Sequence, residues 1–203
     1  MLEKLVRSKA FVLALIVGFV LWPVWPIFIR PNPSVLADPP KYVLLHLGFT
    51  TCVLLAIVLS FSPLRILLPK VRLALALNRH RRLVGVSTFV VGLLHFTMHI
   101  LYEGGPAVLA SDITKPFLVT GMLALTILTL LAATSSNLAI RLMGGRNWKR
   151  LHRFAYVAAG LAAYHQSAAQ KLIPVQVYWI FTPLALLEAG RIYKHLSRKR
   201  VSS

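Results

Sequence analysis

Six apolar stretches, parted by short connections rich in Lys and Arg, fix what this chain can become. They run from Ala10 to Ile29, Tyr42 to Phe61, Leu83 to Tyr102, Pro116 to Ala133, Leu151 to Ala169 and Leu172 to Leu187. A bilayer hydrocarbon core of about 30 Å is crossed by about 20 apolar residues in a helix, so each stretch is near the length of one crossing. A backbone in lipid must satisfy its own hydrogen bonds, which favours helices for runs of this length. The expected fold is therefore an all-α integral membrane protein. It would be a six-helix transmembrane bundle filling residues 1–203 as a single domain, without room for a separate soluble one. With 57% hydrophobic and 14% charged residues, the chain lacks the charged surface that a water-soluble fold needs.

The placement of positive charge sets an orientation, because Lys- and Arg-rich segments stay in the cytoplasm. One side would carry Lys4, Arg7 and Lys9, then Arg65, Lys70, Arg72, Arg79, Arg81 and Arg82. The same side would carry Arg141, Arg146, Lys149, Arg150 and Arg153, and finally Arg191, Lys194, Arg198, Lys199 and Arg200, which is all but four of the 23 basic residues. The other side keeps Arg30, Lys41, Lys115 and Lys171 beside Asp38, Glu103 and Asp112. Both termini are thus expected in the cytoplasm, on the inner side of a multi-pass membrane protein. The net charge of +18 faces anionic lipid rather than nucleic acid, since the basic residues punctuate apolar runs. Lys4, Arg7 and Lys9 before an apolar run also fit a signal peptide, but the run is long for one and ends without a small-residue cleavage pattern. A retained helix is the expectation, ended early or kinked by Pro23 and Pro26. The lone Cys52 supports neither a disulfide nor a covalent haem attachment.

Ionisable residues inside crossings are functional candidates by default, and here they are histidines rather than acids. The third stretch holds His95 and His99, the fifth His152 and His165, and the second His46. His95 and His165 lie roughly 18 Å and 21 Å along helices running outward from the same side, hence at similar depth. Two imidazoles at one level suit a bis-histidine haem, and they equally suit interhelical hydrogen bonds. His46 falls in the same outer half, and His99 could bond a neighbouring helix, a haem edge or iron. His152 marks the inner edge, about 140° away from His165 around an ideal helix. His80 is expected in a solvated loop.

Several motifs then resemble a known family. Arg81-Arg82-Leu83-Val84-Gly85 followed by Leu94-His95 resembles the third-helix entry of the ferric-reductase-like transmembrane superfamily. The run Thr134-Ser135-Ser136-Asn137, then Gly144-Gly145-Arg146-Asn147-Trp148-Lys149-Arg150-Leu151-His152-Arg153, with Tyr156 and His165, is similar to its MsrQ family. Ala37-Asp38-Pro39, His46, Gly48, Ser62-Pro63-Leu64-Arg65 and Lys115-Pro116-Phe117 follow the same pattern, so the resemblance covers roughly Ala37 to Ile192. Departures are Gln166-Ser167-Ala168 after His165, where the family places an aromatic nearby, and Phe49-Thr50, where an arginine often follows Gly48.

The resemblance implies b-type haem, one or two per chain. His95 and His165 match the outer-haem pair, and His152 matches a third histidine implicated in haem binding. It also implies FMN, for which the sequence offers no site. Arg81, Arg82, Lys149 and Arg150 could hold haem propionates or a flavin phosphate, or could serve only as topology determinants. The implied function is electron transfer as a subunit of an oxidoreductase complex. The donor would be quinol or a cytoplasmic flavin reductase, and the acceptor a periplasmic molybdopterin-containing methionine sulfoxide reductase that repairs oxidised proteins. Competing readings are a ferric or quinone reductase of the same superfamily with another partner, and a haem-free transporter or scaffold.

Overall fold

The computed structural model describes residues 2–169 and 174–201. Lys171 and the first two residues of the sixth stretch, Leu172 and Ile173, lie outside the described residues, as do Ser202 and Ser203 of the basic tail. Among the described residues every regular element is helical: α1 (Leu2–Arg7), α2 (Lys9–Val20), a π-helical turn (Trp25–Ile29), α3 (Pro33–Leu36), α4 (Pro39–Leu67), α5 (Arg72–Asn78), α6 (Arg81–Tyr102), α7 (Val108–Asp112), α8 (Pro116–Ala133), α9 (Asn137–Met143), α10 (Gly145–His152), α11 (Phe154–Ala168) and α12 (Val175–Val201). By length and apolarity, α4, α6 and α8 qualify as membrane-spanning. The chain is a multi-pass membrane protein.

Local chemistry sets these boundaries. The Asp38 carboxylate accepts the Lys41 backbone N–H at 3.1 Å and caps α4, whose first two positions are the prolines best tolerated there. Lys115 precedes Pro116 at the start of α8. Ser136 accepts from the Ala139 N–H at 3.0 Å and starts α9, and Gly144 (φ 74°) supplies the left-handed turn into α10.

The first stretch ends early, as its prolines led one to expect, and the fifth differs from expectation. The first forms an α-helix only to Val20, because Pro23 and Pro26 lack the N–H groups that would continue the ladder. The backbone instead turns through the Trp25–Ile29 π-helical segment. The fifth is interrupted by a turn at Arg153, so His152 ends α10 while His165 sits on α11. A second correction concerns His80. Rather than lying solvated, it is 2% exposed, and its Nε2–H donates to the Val6 carbonyl at 2.8 Å, tying α1 under the start of α6.

α4 is the central helix. It buries ten residues, against four on α6 and three on α8. Leu55, Ala56 and Leu59 pack with Leu128 of α8, Ala158 and Ala159 of α11, and Leu184 of α12. On its opposite flank Leu47, Leu54 and Phe61 meet Ile16 of α2 and Val84 and Val91 of α6. The outward surface stays apolar: Leu45, Val90, Leu123, Leu130, Trp179 and Leu186 are all exposed, as suits lipid contact. Lipid solvates such side chains as well as a core does, so cohesion falls to close packing and interhelical hydrogen bonds. Those bonds join like ends of helices. Lys194 of α12 donates to the Ile66 carbonyl of α4 at 2.7 Å, and Arg82 donates to Asn137 Oδ1 at 2.8 Å. At the other end the Tyr102 hydroxyl donates to Asp38 at 2.9 Å.

Candidate functional site

Two histidines from different helices meet inside the bundle, towards the end where α6 and α11 finish. The imidazoles of His95 (α6) and His165 (α11) stand with ring centres 6.2 Å apart and planes at 74°. Each ring is fixed by a backbone carbonyl on the preceding long helix. His95 Nδ1 donates to Leu44 of α4 at 3.0 Å, and His165 Nδ1 donates to Phe117 of α8 at 2.7 Å. A carbonyl only accepts, so the proton of each neutral imidazole resides on Nδ1 and the lone pair on Nε2. The Phe117 ring also stacks on His165, 6.0 Å between centres.

The ring-centre separation is of the size expected where two imidazoles would hold one iron through nitrogen. With a metal–nitrogen bond of about 2 Å and a nitrogen about 1 Å from its ring centre, two such ligands place their ring centres about 6 Å apart. The donor chemistry agrees, since neutral imidazoles whose other N–H is bonded to a carbonyl are the common form of a haem or metal ligand. Among the described residues no group of three or more His, Cys, Asp or Glu gathers as a metal site.

The other expected residues separate into two regions. Near the outer ends, His46 donates from Nε2 to the Phe19 carbonyl at 2.8 Å and lies beside Thr50. With Phe19, Trp22, Tyr42 and Phe49 it lines an aromatic cavity of about 370 Å³. His99 does not join the pair. Its Nε2–H donates to Asp112 at 2.7 Å, and Lys115 approaches the other carboxylate oxygen at 3.3 Å. Burial of Asp112 acts to raise its pKa, but the hydrogen bonds and charges of His99 and Lys115 outweigh it and hold the carboxyl below the usual range.

At the inner ends, His152 stacks on Trp148 with ring centres 3.9 Å apart, while Trp148 Nε1 donates to the Thr134 carbonyl at 2.9 Å. The Thr134 hydroxyl lies 3.3 Å from His152 Nε2. Twelve residues of α11 run from Phe154 to His165, a rise of roughly 17 Å, so His152 occupies a level distinct from the pair. Arg81 feels the fields of Arg65, Tyr156 and Arg191, and Arg82 is engaged by Asn137. Lys149 and Arg150 sit in the last turn of α10.

Sequence reasoning missed the roles of Tyr156 with Glu188 and Arg191, of Asp112 and of Gly121. Tyr156 donates to Glu188 at 2.9 Å, and Arg191 closes an ion pair with the same carboxylate at 2.6 Å, forming a polar knot between α11 and α12. Asp112 read as a loop acid, although its carboxylate is 2% exposed. Gly121, invisible as a single glycine, lies directly against the His165 ring.

Comparison with known proteins places this geometry in context. The family model for the ferric reductase-like transmembrane component matches residues 47–163, which contain His95 and His152. A Ralstonia nicotianae protein described as the protein-methionine-sulfoxide reductase heme-binding subunit MsrQ is 40% identical over 64% of this chain, which spans 59% of that relative's length. Proteins of the same description from Polaromonas naphthalenivorans and Brucella ovis are 32% and 30% identical over 88% and 87% of this chain, covering 83% and 79% of theirs. No solved structure matches.

Proposed function

The chain belongs to the ferric reductase-like transmembrane family and within it to the MsrQ group, and from that premise we propose that it is a b-haem electron-transfer subunit serving a methionine sulfoxide reductase. The observation that carries this reading is the facing pair His95 and His165, 6.2 Å between ring centres, each with its Nδ1 proton committed to a helix carbonyl.

On this reading Nε2 of His95 and Nε2 of His165 hold the iron. Haem bound there supplies a one-electron carrier inside the membrane. The Leu44 and Phe117 carbonyls fix the tautomer and rotation of the two rings. His152, with Trp148 and Thr134, is proposed as a ligand at a second, inner level, where one further haem would sit. His46 is proposed as a contact of the outer cofactor region through α4. Arg81 and Arg82 are proposed as anion contacts at the inner end, for a propionate or for the phosphate of FMN.

Six crossings with both ends in the cytoplasm of a bacterial inner membrane would bring electrons outward. The donor would be quinol or a cytoplasmic flavin reductase, and the acceptor a periplasmic molybdopterin enzyme that reduces methionine sulfoxide in proteins. The oxygen chemistry belongs to that partner, and this chain's own residues bind and orient.

The test is a reduced-minus-oxidised spectrum of the detergent-purified protein beside His95→Ala and His165→Ala. A b-type α band in the wild type, lost or strongly reduced in each variant, is the expected result. A colourless wild type made with ample haem supply, or variants that keep the full band, would overturn the assignment.

A further inference from the structure

We propose that Gly48 and Gly121 are paired positioning residues, each a notch that opens one helix carbonyl to one of the two iron-binding imidazoles. The inference rests on the reading of His95 and His165 as haem ligands, and deepens it.

The spacing is the same twice. His95 bonds the carbonyl of Leu44 and lies against Gly48, while His165 bonds the carbonyl of Phe117 and lies against Gly121. In an α-helix the carbonyl of residue i receives the N–H of residue i+4. The glycine in each case therefore stands at the position whose own N–H reaches the borrowed carbonyl. Helical Cα–Cβ bonds tilt towards the N-terminus, so a side chain at that position leans over the carbonyl one turn back. Glycine leaves it bare, and a second donor can approach from the side.

The distances bear this out. A Cβ at Gly48 would stand 2.9 Å from His95 Cε1 and 3.2 Å from its Nδ1. At Gly121 it would stand 2.7 Å from His165 Nδ1 and 2.9 Å from Cε1. Of the chain's 11 glycines, these two alone would put a Cβ within 3.0 Å of a neighbour, and both neighbours are the facing imidazoles. Neither ring can yield simply, because each is held at Nδ1 by the carbonyl beside the notch. Each notch lies on the earlier helix of a packed pair, α4 with α6 and α8 with α11, and each histidine on the later one. One device is thus used twice around a single centre, although the two halves share no sequence repeat.

Its consequence is the orientation of the ligands. The two carbonyls set the rotation of each ring, and so the 74° between their planes. They also raise the basicity of Nε2 by drawing on the Nδ1 proton.

The experiment compares Gly48→Ala and Gly121→Ala with Gly160→Ala, a glycine on α11 with nothing within 4 Å of an added Cβ. Haem retained per polypeptide, the low-spin ferric EPR signal (whose anisotropy follows the angle between imidazole planes) and the midpoint potential are read together. The two notch variants are expected to hold haem on the order of 10-fold more weakly, with an altered EPR signal and a higher potential, while Gly160→Ala matches the wild type. If the notch variants fail to accumulate, the cycle with the ligand decides. Gly48→Ala in a His95→Ala background, and Gly121→Ala in a His165→Ala background, should add no further loss of apo-protein stability, because the ring they strike is gone. An equal loss in both backgrounds would mean that the glycines serve helix packing alone, and would overturn the proposal. So would wild-type haem content, EPR and potential in both notch variants. Retention of haem by His95→Ala and His165→Ala would instead sink the haem reading itself, a result distinguishable from either.

Discussion

At the scale of single residues, the polar groups of this chain act through what they hold still. His99 lies one helical turn beyond His95 and in sequence could bond a neighbouring helix, a haem edge or iron; in the structure Asp112 accepts from its Nε2–H. A carboxylate that is 2% exposed needs such partners, since burying it unpaired costs several kcal/mol. The hydrogen bonds from His99 and Lys115 keep Asp112 below the ordinary carboxyl range despite its burial, and this has a consequence for pH. A carboxyl with a depressed folded pKa contributes stability that is fully present above its unfolded value of about 3.9 and is lost as pH falls through the folded value. Thermal unfolding of the detergent-purified protein should therefore weaken progressively below about pH 4. In Asp112→Asn that part of the acid sensitivity should vanish, with lower stability at neutral pH. Equal acid slopes in the two proteins would show that the latch from α7 to α6 carries no such linkage. The sequence could not reveal this latch, because the two residues are 13 positions apart across a turn-rich loop whose path is set by tertiary packing.

At the scale of elements, what could be read from sequence was the apolar period and its interruptions. α6 and α8 begin and end within two residues of the stretches expected, because a basic cluster or proline marks each entry. α4 runs further in both directions, to Pro39 and to Leu67, since its Asp38 cap and the internal Pro63 were not counted as helical. The break at Arg153 left no comparable mark, as the sequence there carries neither Pro nor Gly. It nonetheless resolves a difficulty: two histidines about 140° apart on an ideal helix need not share a face when they belong to two helices. The histidines stood out as candidates because ionisable residues are rare in lipid, whereas Gly48 stood out only through the family resemblance and Gly121 not at all, because small residues are ordinary in membrane helices. The central role of α4 offers its own test. Leu55 is 2% exposed at the meeting of α4 with α8, α11 and α12. Leu55→Ala removes packing that lipid cannot replace, and should cost about 2–5 kcal/mol in reversible denaturation, against little change for the lipid-facing Leu45→Ala. Similar losses at both positions would argue that burial within this bundle does not set its stability.

At the scale of the whole molecule, the hydrogen bonds and the charges speak to the same question, namely how many times the chain changes sides. Among the described residues three helices qualify as spans by length and apolarity, while α2 is short and α12 carries Glu188, Arg191 and Lys194 along its later turns. Yet the bonds between elements pair like ends throughout. The start of α6 meets α1, the end of α4 meets the later part of α12, and the entry to α8 meets the last turn of α11. Every one of the first two contacts joins basic segments, and the third joins segments nearly free of Lys and Arg. A chain that crossed only along α4, α6 and α8 would place the start of α2 and the end of α12 on opposite faces, setting one basic cluster against the positive-inside bias. Single cysteines in a Cys52→Ala background separate the two cases. With a membrane-impermeant maleimide on spheroplasts, Ser34→Cys and Ser111→Cys should label directly, while Lys9→Cys, Arg146→Cys and His195→Cys should label only after permeabilisation. The decisive comparison is Lys9→Cys with His195→Cys, since an even number of crossings puts them on one face and an odd number on two. Protection of both in intact spheroplasts would support six crossings, and labelling of one alone would refute them whatever the outcome at the haem.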